Sequence, residues 1–222
     1  MQRIVVFVQR IRSWGFPARF DESDYDCRFF TAAMKPHTLL NALVAHSPAD
    51  QEEEKHRGKL MQFVSSHTGN WWTRENDEGH VTGSAWVVNQ AHTHALLLHH
   101  VKLNLWVQPG GHLDDTDLSP AAGALREALE ETGIPNLTLA SETVFDVDIH
   151  SIPARPLRPG KMQSEPAHLH YDVRYLIIAE DNRVAISAES LDAKWILLEN
   201  LAQPAYERSI ARMAEKSLRM RS

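Results

Sequence analysis

The stretch QPGGHLDDTDLSPAAGALREALEETGI, residues 108–134, decides how the fold is read. Ser119-Pro120 offers a capping hydroxyl followed by proline at the first helical position, and Gly133 offers the residue that takes a left-handed conformation at a helix end. The spacing predicts a helix over Pro120–Thr132. At about 100° per residue, Glu127, Glu130 and Glu131 share an arc of about 100°, while Leu125, Ala128 and Leu129 point the opposite way. Glu127 and Glu131 stand one turn apart as like charges, a repulsion that grows in a concave, partly dry site. A divalent cation turns that repulsion into attraction, and ligation by oxygen alone selects Mg2+ or Mn2+ before zinc or copper. Arg126 precedes Glu130 by four residues, is always charged, and is placed to pair with it and orient the acids. Gly110 and Gly111 let the backbone turn tightly and approach a ligand, so a main-chain carbonyl there is a candidate to complete the metal shell. Gly123 and Ala124 are small enough for the preceding loop to lie close over the helix. The competing reading is an ordinary acidic surface helix. The double glycine, the caps at both ends and the clustered acids weigh against it.

Outward from this helix the pattern is one of strands. Residues 81–89 (VTGSAWVVN), 94–101 (HALLLHHV) and 104–108 (NLWVQ) precede it, and 143–150, 168–180 and 194–198 follow it, separated by short polar connections. Residues 151–166 hold Pro153, Pro156, Pro159, Gly160 and Pro166 and read as a loop that is functional or mobile. PAYERSIARMAEKSLRM, residues 204–220, closes as an amphipathic helix. On the N-terminal side, Leu39, Leu40, Leu43 and Val44 sit at helical spacing. Ser47-Pro48 ends that helix and starts another, whose apolar patch is Leu60, Met61, Phe63 and Val64. The domain reading is an extension over 1–33, expected to be poorly ordered, a helical hairpin over 34–77, and the main domain over 78–222. Strands enclosing a central helix, with a second helix at the end, argue for a mixed α+β sandwich.

The residues of the central helix resemble the Nudix box, which is Gly, five residues, Glu, seven residues, then Arg-Glu-aliphatic-x-Glu-Glu-x-Gly-aliphatic. Gly111 and the run Arg126 to Ile134 follow it, with Ala128 in the aliphatic place. The first half departs: Asp117 lies at the expected distance from Gly111, but eight residues separate it from Arg126. One extra loop residue near Asp117-Leu118, with Asp117 or Asp115 standing in for the glutamate, accounts for that count. The resemblance covers about residues 78–203 and implies an α/β/α sandwich with a mixed sheet. It implies divalent metal held by Glu127, Glu130 and Glu131 with help from the Gly110 carbonyl, and Arg126 buttressing the acids. The implied reaction is attack of a metal-activated water on a nucleoside diphosphate linked to another group. Glu127 or Glu131 is the implied base, with Glu165 and Asp172 as candidates outside the box. A Nudix-like binding or sensor module without turnover is the alternative. Isomerase chemistry on an allylic diphosphate would need a cysteine that Cys27, far from the domain, does not supply.

The remaining composition narrows the setting. Net charge is −6, so no basic field gathers nucleic acid nonspecifically, and the substrate expected is small and nucleotide-derived. A single cysteine forms no intrachain disulfide and suits a cytoplasmic setting. No apolar run approaches the roughly 20 residues of a membrane span. Four arginines before Asp21 imitate a basic targeting segment, though a plain extension is the preferred reading. A homodimer is compatible with all of this. Among thirteen histidines, His112, His150, His168 and His170 surround the site in sequence. His168 and His170 face the same side as Asp172 in a strand. They are weighed between a hydrogen-bonded structural pair and a metal or phosphate contact, and His99-His100 is a weaker candidate. Trp86, Trp106, Trp195, Phe145 and Tyr175 are read as core, and Trp71-Trp72 as sealing the hairpin to the sandwich. Arg155, Arg158 and Lys161 are candidates to meet substrate phosphates.

Overall fold

The structure, a computed structural model, describes residues 34–67, 69–101, 104–154 and 166–221. The expectations for the extension over 1–33, and for Arg155, Arg158, Lys161 and Glu165, lie outside the described residues. In chain order the elements are α1 (Pro36–Ala45), α2 (Gln51–Ser66), β1 (Gly79–Asn89), β2 (His94–His100), β3 (Leu105–Val107), β4 (Gly110–His112), α3 (Pro120–Thr132), β5 (Leu137–Leu139), β6 (Asp146–Ile152), β7 (His168–Ala179), β8 (Ser190–Leu197), α4 (Leu198–Leu201) and α5 (Arg208–Arg219). No described helix is long and apolar enough to cross a membrane.

The strands form one mixed sheet along the path β3-β2-β1-β7-β5, with β4 joined to β1, β6 to β7 and β8 to β2. β1 and β7 run parallel, from Gly79 opposite Leu169 to Asn89 opposite Ala179, and β4 and β6 pair with them antiparallel. Because side chains alternate along a strand, the register sorts the central strands into two faces. Val81, Ala85, Val87, Val173, Tyr175 and Ile177 form one, packed beneath Ala121, Ala124 and Ala128 of α3 and, further along, Leu43, Leu60 and Phe63 of the first two helices. The approach of α3 is close: a Cβ at Gly83 would stand 2.8 Å from the Pro120 carbonyl oxygen. On the other face Trp86, Val88 and Leu176 are covered by Leu198, Leu201, Ile210 and Met213 of α4 and α5. Helices on both faces of a mixed sheet make an α/β/α sandwich, as expected. The half of the second face that begins each central strand carries polar residues instead, in cross-strand rows: His80, His170 and His150; Thr82, Asp172 and Asp148; Ser84, Arg174 and Asp146.

Several boundaries differ from the sequence reading: β1 starts at Gly79, β6 at Asp146 and the closing helix at Arg208. The second helix starts at Gln51, not at Ser47-Pro48, because the Asp50 side chain accepts from the Glu53 amide at 2.8 Å and Glu53 turns back to accept from the Ala49 amide at 2.6 Å. This reciprocal arrangement satisfies orphan amides that a serine three residues earlier does not reach. The glycine pair, read as a turn, is the short strand β4, with Gly111 opposite Gly83 and Gly110 opposite Ser84. Of the residues read as core, Trp86 and Tyr175 are buried, whereas Phe145, Trp106 and Trp195 are only half-buried. Trp106 stacks on His99 under the Lys194 ammonium, and the Trp195 indole donates to the Asn182 carbonyl. Trp71 is fully buried in the cluster that joins the first two helices to the sheet.

A buried ion network ties these layers together. Asp146 accepts from Arg212 Nε at 2.8 Å, Arg212 Nη2 at 3.0 Å, Lys216 Nζ at 2.7 Å and Arg174 Nη1 at 3.2 Å. Glu53 joins it through Lys216 and accepts from His46 Nε2 at 2.7 Å. Burial alone would raise Glu53, but donors from His46, the Ala49 amide and Lys216 overcome it and hold the carboxyl down to about 2. A carboxyl depressed on folding contributes stability that is complete above its ordinary value of 4.5 and is lost as pH falls toward 2. The thermal midpoint is therefore expected to drop steeply across that acid window, and Glu53→Gln to flatten the drop while lowering the neutral midpoint. Melts followed by circular dichroism from neutral pH down to the acid limit check this.

Candidate active site

The polar half-face is the floor of a cleft of about 1510 Å³ whose lining includes Glu127, Glu130, Glu131, Gly110 and Gly111. The acids come from the other layer and reach the cleft at strand β4. The helix that carries them is fixed at both ends as expected: Ser119 Oγ accepts from the Ala122 amide at 3.2 Å, and Gly133 takes φ 61°. A serine cap of this kind stabilises by about 1 kcal/mol.

Arg126 organises the cluster, with more partners than the Glu130 pairing read from spacing. Its Nε and Nη2 grip Asp117 at 3.0 and 2.9 Å, and Nη2 also donates to the His112 carbonyl at 2.9 Å. Nη1 donates to Glu127 at 2.8 Å and to Glu130 at 3.3 Å. A bidentate grip of this type holds both partners in a fixed orientation. Asp117, and not Asp115, is therefore the loop acid joined to Arg126; Asp115 instead accepts from the Trp72 indole at 3.3 Å. The extra loop residue is absorbed at Leu118, which is 75% exposed, so the irregular count leaves the helix and the guanidinium grip intact.

Three carboxylates, Asp117, Glu127 and Glu130, thus share one guanidinium, and Glu131 stands beside them on the Gly110 amide. Burial, with nearby Glu130 and Asp117, raises Glu127 above the ordinary carboxylate range even against its bond to Arg126. Burial also pushes Glu131 up to about 7, with Glu127, Glu189 and Glu130 adding to the shift, although the Gly110 amide donates to its Oε2 at 3.0 Å. The contact at Gly110 is made by its N–H; the carbonyl role was an expectation from resemblance. The set fits a hard divalent cation on two counts: its ligand atoms are all oxygen, and its carboxylates outnumber the one guanidinium they adjoin.

The two glycines are needed for different reasons. At Gly111 a Cβ would stand 2.7 Å from Glu127 Oε2, whereas Gly110 combines φ +151° with a Cβ position 2.6 Å from the Ser84 Cα. Gly111→Ala is expected to keep the thermal midpoint within a few degrees while displacing the Glu127 carboxylate and lowering activity and metal affinity by about 10- to 100-fold, the effect of misplacing a ligand by about 1 Å. Gly110→Ala is expected to lose fold and activity together. Parallel melts and titrations of the two variants separate the cases.

Asp172, weighed as a base, is 1% exposed, and each of its oxygens already has two donors. Thr82 and Ser84 donate to Oδ1 at 2.9 and 2.8 Å, and Arg174 and Gln108 to Oδ2 at 2.8 and 3.3 Å. These donors make it a tie that holds the floor together. His168 and His170 do lie on its face, and with them stands His80, which sequence reading passed over. The alternation His80-x-Thr82-x-Ser84 was its signal, one residue before the strand as read. Burial, with His168 and Arg74 nearby, lowers His80 to about 4, and burial beside His112 and His80 lowers His170 to about 2.

Comparison with known proteins gives the family of the chain. A family model described as NUDIX domain matches residues 79–216. Among solved structures, the chain is similar to a NUDIX-family hydrolase from Clostridium perfringens, with 24% identity over 66% of this chain and 99% of that one and a TM-score of 0.46. It is also similar to a C. elegans Ap4A hydrolase binary complex, with 20% identity over 63% of this chain and 96% of that one and a TM-score of 0.45. A third similar structure is the NUDIX domain of Shewanella oneidensis NrtR complexed with ADP ribose, with 18% identity, 71% and 98% coverage and a TM-score of 0.45. The comparison with curated proteins finds no match. Because the family model spans well over half of the chain and takes in both the glycine strand and the carboxylate helix, this chain is a member of the Nudix family of hydrolases.

Proposed function

We propose that the enzyme hydrolyses a phosphoanhydride bond in a small nucleoside diphosphate linked to another moiety, dependent on Mg2+ or Mn2+, in the cytoplasm. The observation that carries the reading is the excess of carboxylate over guanidinium in a cleft beside a close-packed glycine strand. Glu127, Glu130 and Glu131 would hold the metal, which when bound supplies an activated water and neutralises charge on the phosphate oxygens. Arg126 orients Glu127 and Glu130, and Asp117 keeps Arg126 from turning toward the substrate. Glu127 or Glu131 would take the proton from the attacking water. The intact grip of Asp117 on Arg126 favours turnover over a sensor module, since the loop irregularity leaves the acids in place.

The test is release of the phosphomonoester products, or of pyrophosphate from triphosphates, across nucleotide sugars, dinucleoside polyphosphates, ADP-ribose and nucleoside triphosphates, with Mg2+ and with Mn2+. Metal-dependent release from at least one class is expected, abolished in Glu130→Gln and Glu131→Gln. Release indifferent to metal, or equal in those variants, would refute the assignment.

A further inference from the structure

We propose a second, separate metal site in which the imidazoles of His80, His168 and His170 bind one divalent transition-metal ion, Zn2+ by its chemistry. One coordinating atom from each of these side chains lies within 4.8 Å of the other two. They come from two strands only. The parallel register sets His80 directly opposite His170, and His168 follows on the same face of β7 two residues earlier. Tetrahedral ligation with metal–nitrogen bonds of about 2.0–2.1 Å requires nitrogens about 3.4 Å apart. The nitrogens are spread over up to 4.8 Å, so binding requires the rings to turn toward a common centre.

The observation that points to a ligand is His80 itself. It is 2% exposed, and neither of its ring nitrogens has a hydrogen-bond partner among the described residues. Buried polar atoms are normally satisfied, and one left unpaired costs about 1–3 kcal/mol. A core histidine would show a carbonyl or carboxylate on at least one nitrogen. His80 instead has three imidazoles around it, with ring centroids at 4.8 Å for His112, 5.1 Å for His168 and 4.8 Å for His170. Clustered imidazoles repel when protonated and offer lone pairs when neutral. Three neutral nitrogen donors suit a borderline-soft cation, which the cluster must hold against the positive charge of nearby Arg74. The donor set is all nitrogen, whereas the glutamate cluster is all oxygen, so the two sites select different ions. His170 and His112 line the cleft, which gives an ion held by the three histidines a route for entry and an open position toward that space.

The proposal stands apart from the hydrolytic reading, and its test does not use activity. The full chain, stripped with a chelator and exchanged into excess Mg2+, is titrated with Co2+ and then with Zn2+. One equivalent of Co2+ is expected to develop the visible ligand-field absorption of a four- or five-coordinate nitrogen site, and one equivalent of Zn2+ to abolish it. The Glu130→Gln/Glu131→Gln double variant is expected to keep this signal; His80→Ala and His168→Ala are expected to lose it. If His80→Ala does not fold, the wild-type rings answer instead: Zn2+ should shift the imidazole nitrogen resonances of His80, His168 and His170 and leave exposed His37 unmoved. No absorption, a signal lost with the glutamates, a signal that survives in His80→Ala, or unmoved cluster resonances would each overturn the site.

Discussion

Glu131→Gln is expected to lower turnover by about 10²- to 10⁴-fold, the contribution typical of a positioned group that moves a proton or stabilises charge. The substitution keeps size and leaves an oxygen to accept from the Gly110 amide, so the contact at β4 persists. What it removes is charge in a place where charge is unwelcome without a cation. Burial raises the folded Glu131 from 4.5 to about 7, so the metal-free protein loses stability as pH climbs through that interval and keeps it below. The glutamine variant is therefore expected to melt at or above the wild-type midpoint at neutral pH without added metal, and to gain less from Mg2+. Steady-state rates and paired melts check both halves. A variant that loses activity because it unfolds would sink this account of Glu131.

Asp146→Ala is expected to cost about 3–5 kcal/mol, the effect of stripping one partner from a buried ion pair. Arg212 is fully buried and Arg174 nearly so, and both lean on Asp146 together with Lys216. Removing the carboxylate takes a shared partner from three cations, of which Lys216 alone can readily shed its proton, although Arg174 keeps Asp172 and Lys216 keeps Glu53. Urea denaturation reads the loss directly. Arg212→Met is expected to do less harm than Asp146→Ala, because it removes a cation from a network that retains two others. Activity should follow stability here, since Arg174 links this network to Asp172 in the cleft floor.

Local chemistry carried most of what the sequence revealed. The carboxylate helix was legible because its caps, its three-to-four spacing and its acids act within one turn of one another, and Pro120 to Thr132 is the helix observed. The strands were legible from alternation, but their partners were not: nothing near residue 80 announces that His170 lies beside it. For the same reason the ion network was invisible, since Glu53, Asp146, Arg174 and Arg212 come from four separate elements. The start of the second helix was misplaced because proline after serine competes with Asp50, and only the reach of Glu53 to the Ala49 amide decides between them. Trp106 was read as core from its strand. An edge position on β3, paired only with β2, leaves its ring half open.

The parallel ladder between β1 and β7 has a bearing on how the chain acquires its shape. Thr82 and Asp172, which meet through a hydrogen bond, are 90 residues apart. Closing so long a loop precedes any reward from the contacts it makes, and topologies of this kind fold slowly. During synthesis β1 must wait, with only local neighbours to lean on, until the last third of the polypeptide has emerged. The cleft is thus completed late, and a ribosome-bound fragment that stops before residue 168 has the glutamate helix and β1 but lacks the β7 part of the floor.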